Sequence, residues 1–329
     1  MRKAKSKRLY LKIIALALAI VFFITLGFLA LELWERNQGR FPEQEVAQSE
    51  VTYQGKEYVL KDNVETFLAL GLDQFEDNND WSNGKQADFL MLFVFDNDTK
   101  QSTAIQINRD TMTAVNRLDI GGNKIDSQVM QIALAYNYIY DDSGKLSCRN
   151  TADSVSQLLR GIPVNHYLSF TMNAVPAIND LVGGVEVNVL DDFTGIDDAL
   201  IKGQNTTLKG EQALTYVRAR KGLEDSTNLH RMERQQQYLQ NLYTKTLSCM
   251  EQDEEFTLRL VDSMDDHMVY DSTDYRMKEL INKFATYQFQ GIKEIQGESK
   301  AGDQFMEFYA DESSIEQLVM DVFYEVKNS

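Results

Sequence analysis

The chain has 329 residues, 43% hydrophobic and 25% charged, which excludes a disordered or fibrous protein and is enough for one large domain or two small ones. With 33 Lys and Arg against 50 Asp and Glu, the net charge of -17 repels phosphodiester backbones over most of the surface and argues against nucleic acid as a partner. Three prolines exclude a Pro-rich stalk or wall-spanning spacer.

Residues 1–12 hold Arg2, Lys3, Lys5, Lys7, Arg8 and Lys12 and no acid, and an uncharged, mostly apolar run follows from Ile13 to Leu31. Such a run matches the length of helix needed to cross roughly 30 Å of hydrocarbon. The expected organisation is therefore a basic cytoplasmic tail (1–12), a transmembrane helix (13–33), a juxtamembrane linker (34–61) and an extracellular domain (62–329). The flanking charge keeps the N-terminus inside. A cleaved signal peptide fits less well, because the run is too long and Glu32-Leu-Trp-Glu-Arg36 offers no small-x-small cleavage site. Setting aside the six basic residues of the tail leaves 27 basic against 50 acidic residues, so the exported part carries -23. Its two cysteines, Cys148 and Cys249, could pair in an oxidising compartment, although the sequence does not fix their separation.

Within the linker, one short strand is expected at 57–60. Three β-rich runs follow, at 64–70, 89–95 and 103–107, the second apolar on both faces like a central strand. A polar stretch from Gln74 to Gln86 separates the first two and is too long for a hairpin turn. Helical patterns cover 127–140 and 151–160, then 173–181, ending at Gly183-Gly184. Strands at 167–170 and 185–190, a short helix at 210–216 and a long one at 229–250 come next. A helix at 275–287, strands at 292–295 and 306–309 and a closing helix at 313–324 complete the chain. This alternation predicts one α/β domain, layered α-β-α, with a mostly mixed central sheet between helices.

Against the acidic background, Arg218, Arg220, Lys221, His230, Arg231 and Arg234 gather within 17 residues, and Arg109 ends a strand. Arginine suits phosphate because its planar fork donates two parallel charge-assisted hydrogen bonds. A solvated helix paired with Glu224 and Glu233 explains the same pattern. Asp73 and Asp88 flank the first two strands and would meet at one sheet edge if those strands are neighbours. Two such carboxylates suit Mg2+, which fills its shell with water and phosphate oxygens, or they simply cap strand ends. His166, His230 and His267 are scattered, which excludes a Cys/His metal pattern.

Taken in order, Gly71-Leu-Asp73, Ala87-Asp88, Asn108-Arg109-Asp110-Thr111, Leu181-Val-Gly-Gly-Val185, Gly210-Glu-Gln-Ala-Leu-Thr-Tyr-Val-Arg218-Ala-Arg220 and Arg231-Met-Glu-Arg234-Gln235 resemble the LytR-CpsA-Psr family. The resemblance is dense over residues 62–250. It implies a membrane-anchored phosphotransferase that moves a glycopolymer from a polyprenyl-pyrophosphate carrier to a hydroxyl of peptidoglycan, with an apolar channel for the prenyl chain. Carried over by position, Asp73 and Asp88 match the acids near a Mg2+ ion. Arg109, Arg218, Arg220 and Arg231 match the catalytic arginines around the pyrophosphate, while Arg234 and Gln235 match a further polar contact to substrate. Gln86 and Phe75 stand where the family often has arginine. Asn228 stands where it usually has Asp, a place Asp225 could fill. These departures leave open a second reading, a polyprenyl-pyrophosphate-binding module without turnover.

Overall fold

Near-continuous apolar runs give the strands β3 (Val64–Leu72) and β4 (Ala87–Asp96) two inward faces, and with β5 (Gln101–Ile107) they pair as an antiparallel meander with Leu70 opposite Leu90 and Leu90 opposite Ile107. A computed structural model of the chain describes residues 46–74, 85–119, 121–137 and 143–327. The expected basic tail and apolar span lie outside these residues. Among the described residues no helix is long and apolar enough to cross a membrane.

Before the meander, β1 (Glu50–Tyr53) and β2 (Lys56–Leu60) form a hairpin, and after it β6 (Met112–Leu118) and β7 (Lys124–Gln131) form another. Then come α1 (Lys145–Leu158), β8 (His166–Phe170), α2 (Ala174–Leu181), β9 (Val185–Asn188), β10 (Asn205–Leu208), α3 (Glu211–Arg218) and the long α4 (Asn228–Gln252). The chain finishes with α5 (Phe256–Met264), β11 (Met268–Tyr270), α6 (Asp274–Ala285), β12 (Gln288–Glu294), β13 (Gly297–Ala301), β14 (Met306–Ala310), α7 (Glu312–Phe323) and β15 (Tyr324–Val326).

The central sheet has the order β11-β8-β3-β4-β5-β12 and is mixed: β8 runs parallel to β3 and β12 parallel to β5, while the other pairs are antiparallel. Leu68, Leu70, Leu92 and Ile105 face a core closed by Val155 of α1 and Leu318 and Val322 of α7. Phe67 faces the opposite side, where Met277, Leu280 and Phe284 of α6 join Val261 of α5. The expected α-β-α layering is thus present.

Three local expectations are corrected. Residues 127–140 do not open a helix: 124–131 are β7, paired with β6, and 132–137 form a 3-10 turn. The hairpin is fixed by the Asp119 carboxylate, which accepts from the backbone of Gly121 and Asn123, and by the Arg117–Asp126 pair across the strands. Residues 50–60 are not linker, because β2 pairs with both β1 and the C-terminal β15, which ties the two ends of the described chain together before residue 62. Cys148 and Cys249, which could have paired, form no disulfide with each other, and Cys148 lies inside α1. Cys148 is buried in the core beneath the sheet, and Cys249 lies on α4.

Gly183 and Gly184 end α2 with φ of 81° and 93°. A Cβ on Gly184 would stand 2.8 Å from the Leu208 carbonyl oxygen, so β10 can approach only a glycine there. The pair acts as a helix stop, as expected.

Candidate functional site

The site forms where β3, β4 and β5 reach a common end of the sheet. Leu72 pairs with Ala87, and the Asp73 amide donates to the Gln86 carbonyl at 3.1 Å, so the strand pairing brings Asp73 and Asp88 to one edge. Arg109 follows β5 at the same edge. Its guanidinium donates to Asp88 Oδ1 and to Gln86 Oε1 (2.8 Å), and its Nε lies 3.3 Å from Asp110 Oδ1. Gln86, standing where a cation was expected, therefore holds an arginine instead of adding charge.

The second half comes from α3 and α4. Arg218 closes the last turn of α3, where the helix dipole favours a cation, and donates from Nη2 to Asp73 Oδ1 at 3.1 Å. Ala219 is extended and ends the helix, so Arg220 leaves on a loop. Arg220 is close enough to act electrostatically on both Asp110 and Arg231, and among the described residues its guanidinium makes no hydrogen bond. Thr227 caps α4, its Oγ1 accepting from the His230 amide at 3.3 Å. From the first turn Arg231 reaches Asp88, donating to Oδ2 at 3.1 Å and to the backbone oxygen at 3.2 Å.

Asp88 thus takes one arginine on each carboxylate oxygen. Burial lowers the pKa of Arg231 from the ordinary guanidinium value against the pull of Asp88, with Arg220 and Arg109 adding to the lowering. Burial raises Asp110 above the usual carboxylate range despite Arg109, Arg220 and Arg231. Asp110 also accepts from Gln131 Nε2 at 3.1 Å, which ties β7 to the base of the site.

Six of the expected residues therefore meet: Asp73, Asp88, Arg109, Arg218, Arg231 and Gln235, with Arg220 beside them. Gln235 accepts from Gln106 at 3.3 Å and donates to the Val217 carbonyl at 3.2 Å, holding the end of α3. Two others are placed differently. Arg234 is 0% exposed and cannot touch substrate: it donates to Asp191 and to the Ala219 carbonyl, fastening the peptide between Arg218 and Arg220. Asp225 is exposed on the rim, where it accepts from the Thr227 amide at 2.8 Å and faces His230 at 3.6 Å.

Asp191, buried against Arg234, carried no signal in the sequence, because its partner is 43 residues away. Asp110 belongs to the Asn108-Arg109-Asp110-Thr111 motif, but its burial is set by the fold. Phe75, the other departure from the family pattern, lies outside the described residues.

Asp88, Arg218, Arg231 and Gln235 open into a cleft of about 100 Å³ walled by Phe89, Phe170 and Leu239. Leu239 also lines an apolar cavity of about 340 Å³ between the sheet and α4–α6, whose walls include Met91, Phe93, Met264 and Phe284. Leu239 is thus common to an apolar chamber and to a mainly apolar cleft that carries Asp88, Arg218, Arg231 and Gln235 on its wall. Among the described residues no group of three or more His, Cys, Asp or Glu side chains could hold a metal by itself. The hard oxygens of Asp73 and Asp88 nevertheless fit Mg2+, which needs only one or two carboxylates when phosphate oxygens complete its shell.

The LytR_cpsA_psr family matches residues 36–322. The polyisoprenyl-teichoic acid–peptidoglycan teichoic acid transferase TagU of Enterococcus faecalis is 30% identical over 250 residues, 74% of this chain and 73% of that protein. The cell wall biosynthesis protein LcpA of Corynebacterium glutamicum is 31% identical over 176 residues, 49% of this chain but only 33% of its own length. Among solved structures, TagT bound to LI-WTA aligns with a TM-score of 0.60 at 20% identity, covering 84% of this chain and 95% of that one. TagV of B. subtilis aligns at 0.58 and 20% identity, covering 80% and 97%. These two likenesses concern the fold.

Proposed function

The chain belongs to the LytR_cpsA_psr family and is a phosphotransferase, and from that premise we propose that it transfers a glycopolymer from a polyprenyl-pyrophosphate carrier to a hydroxyl of peptidoglycan, on the outer side of a membrane that residues 13–33 span. The observation that carries this reading is the shared wall at Leu239: a lipid pyrophosphate is apolar at one end and doubly charged at the other, and the arginine cleft and the apolar cavity adjoin in that order.

In this reading the prenyl chain occupies the cavity and the pyrophosphate displaces part of the Asp88 pairing to lie among Arg109, Arg218, Arg220 and Arg231. The acceptor oxygen attacks the sugar-bearing phosphorus, its proton leaves to solvent or a base, and the bond to the prenyl-phosphate oxygen breaks. Negative charge grows on that leaving oxygen, and guanidinium donors already fixed by Asp88, Asp73 and Gln86 meet it with little reorganisation. Mg2+ held by Asp73 and Asp88 would supply further charge neutralisation. Asn228 cannot accept a proton as Asp would; its side-chain oxygen accepts from Arg231 and so orients that arginine.

The test is release of polyprenyl phosphate from a synthetic lipid-pyrophosphoryl saccharide by the full chain in detergent, with peptidoglycan fragments as acceptor and Mg2+ present or chelated. Turnover that depends on acceptor and Mg2+ is expected. Saturable lipid binding without turnover would replace the enzyme mechanism with a binding module.

A further inference from the structure

We infer that the donor glycan is neutral or sparsely charged rather than a polyanionic phosphodiester polymer; the inference rests on the transferase reading and names the substrate class of the same cleft. It starts from how the site's cations are used. Arg109 and Arg231 are committed to Asp88, Arg218 to Asp73 and Arg234 to Asp191. Gln86 is neutral and accepts from Arg109. The cleft therefore holds enough positive charge to receive one pyrophosphate and little to spare for a chain of phosphodiesters beyond it.

The surface beyond the cleft has the opposite sign. Two loops, 189–204 and 219–227, flank Arg218 and Arg220 and form one rim. Arg234 joins Asp191 of the first to Ala219 of the second, Lys202 reaches Glu224 at 3.4 Å, and a Cβ on Gly222 would stand 3.3 Å from Ile196. With the adjoining first turns of α4, this rim exposes Asp192, Asp198, Glu224, Asp225 and Glu233 against Lys202 and Lys221. Glu224 and Glu233 carry side chains 80% and 65% exposed, so their charge faces solvent on the stretch of chain that carries Arg220 and Arg231.

A neutral sugar chain crosses such a rim without electrostatic cost. A chain with a negative charge at every repeat is repelled there, and the exported part as a whole, at a net -23, adds no compensating field. The repulsion extends over a Debye length of about 30 Å at 0.01 M salt and about 3 Å at 1 M, which makes it separable from contact recognition.

The experiment compares two synthetic lipids with the same polyprenyl pyrophosphate and first sugars, one extended by neutral sugars and the other by several glycerol-phosphate units. The full chain is used at fixed Mg2+. At low salt the phosphodiester lipid should show a KM higher by about tenfold or more at similar kcat, and the gap should close as salt rises. The double variant Glu224→Lys with Glu233→Lys should narrow the gap at low salt and leave kcat for the neutral lipid unchanged. Equal or better use of the phosphodiester lipid by wild type at low salt, or a gap indifferent to salt and to the double variant, would overturn the inference alone. Turnover of neither lipid would remove the transferase reading and this inference with it.

Discussion

Asn228 Oδ1 accepts a hydrogen bond from Arg231 Nη2 at 2.5 Å while its Nδ2 donates to Asn108 Oδ1 at 2.8 Å. The residue that departs from the family pattern thus ties the start of α4 to the loop carrying Arg109. The amide does two things that a carboxylate at this position could not do together, since a carboxylate has no donor for Asn108. Asn228→Ala should lower kcat by roughly tenfold, the scale of one hydrogen bond to a charged group. Asn228→Asp should keep most of kcat and lose some stability. A wild-type kcat in the alanine variant would show that this contact does not orient Arg231.

The arginines differ in what supports them, and their variants should separate accordingly. Arg220, with no hydrogen bond to its guanidinium among the described residues, should lose on the order of 100-fold or more in rate as Arg220→Ala, with an unchanged melting temperature. Arg231, only 3% exposed, should lose comparable rate and also stability, on the order of 3 kcal/mol, because Asp88 is left half paired. Rate and thermal denaturation measured together distinguish the two. Arg220→Ala turning over like wild type would remove it from the phosphate cage.

Arg234 is expected to be a matter of stability. It is fully enclosed, pairs with Asp191 and lies over the Phe193 ring with its guanidinium carbon 5.6 Å from the ring centre. Arg234→Ala strands the buried Asp191 and should cost roughly 3–5 kcal/mol in chemical denaturation. Arg234→Lys keeps a charge but not the fork that reaches both Asp191 and Ala219, and should recover part of that loss. Unaltered denaturation of the alanine variant would contradict this placement.

A pH effect on stability is expected at the end of the sheet opposite the cleft. His166 Nδ1 lies 3.3 Å from Asp271 and Nε2 lies 3.3 Å from Glu65, which also binds Lys283 at 2.7 Å. The hydrogen bond to Asp271 raises the His166 pKa above its usual 6.5, burial opposes it, and the charges of Asp271 and Glu65 add to the rise. A raised histidine pKa stabilises the fold fully below the unfolded value and ceases to do so as pH climbs through the folded one. The melting temperature should therefore fall as pH rises from about 6.5, and this fall should be smaller in His166→Gln. Equal slopes in the two proteins would exclude His166 as the source.

Much of the site was legible in the sequence, because its residues come in short runs at the ends of regular elements. Asp73 follows β3, Asp88 is in the first two residues of β4 and Arg109 follows β5, strands recognisable by their apolar runs, and Arg218 and Arg231 stand at the ends of helices with clear periodicity. A strand or helix end fixes where its last side chain is, so linear spacing carries over into space. The stretch 127–140 reads as a helix because Val129, Met130, Ile132 and Ala133 fit a helical stripe, and only pairing with β6 makes its first residues a strand.

Sequence alone determined the acidic balance, the apolar run at 13–31, the three strands of the meander and the grouping of arginines near 218–234. Tertiary structure alone decided which arginine faces the cleft and which is enclosed. Arg231 and Arg234 are three residues apart on one helix, yet the first meets Asp88 from β4 and the second meets Asp191 from the loop after β9. Helical periodicity places two side chains on neighbouring faces. What each face meets is set by chain segments 43 and 143 residues away, and a buried charge is tolerated only where such a segment brings its partner.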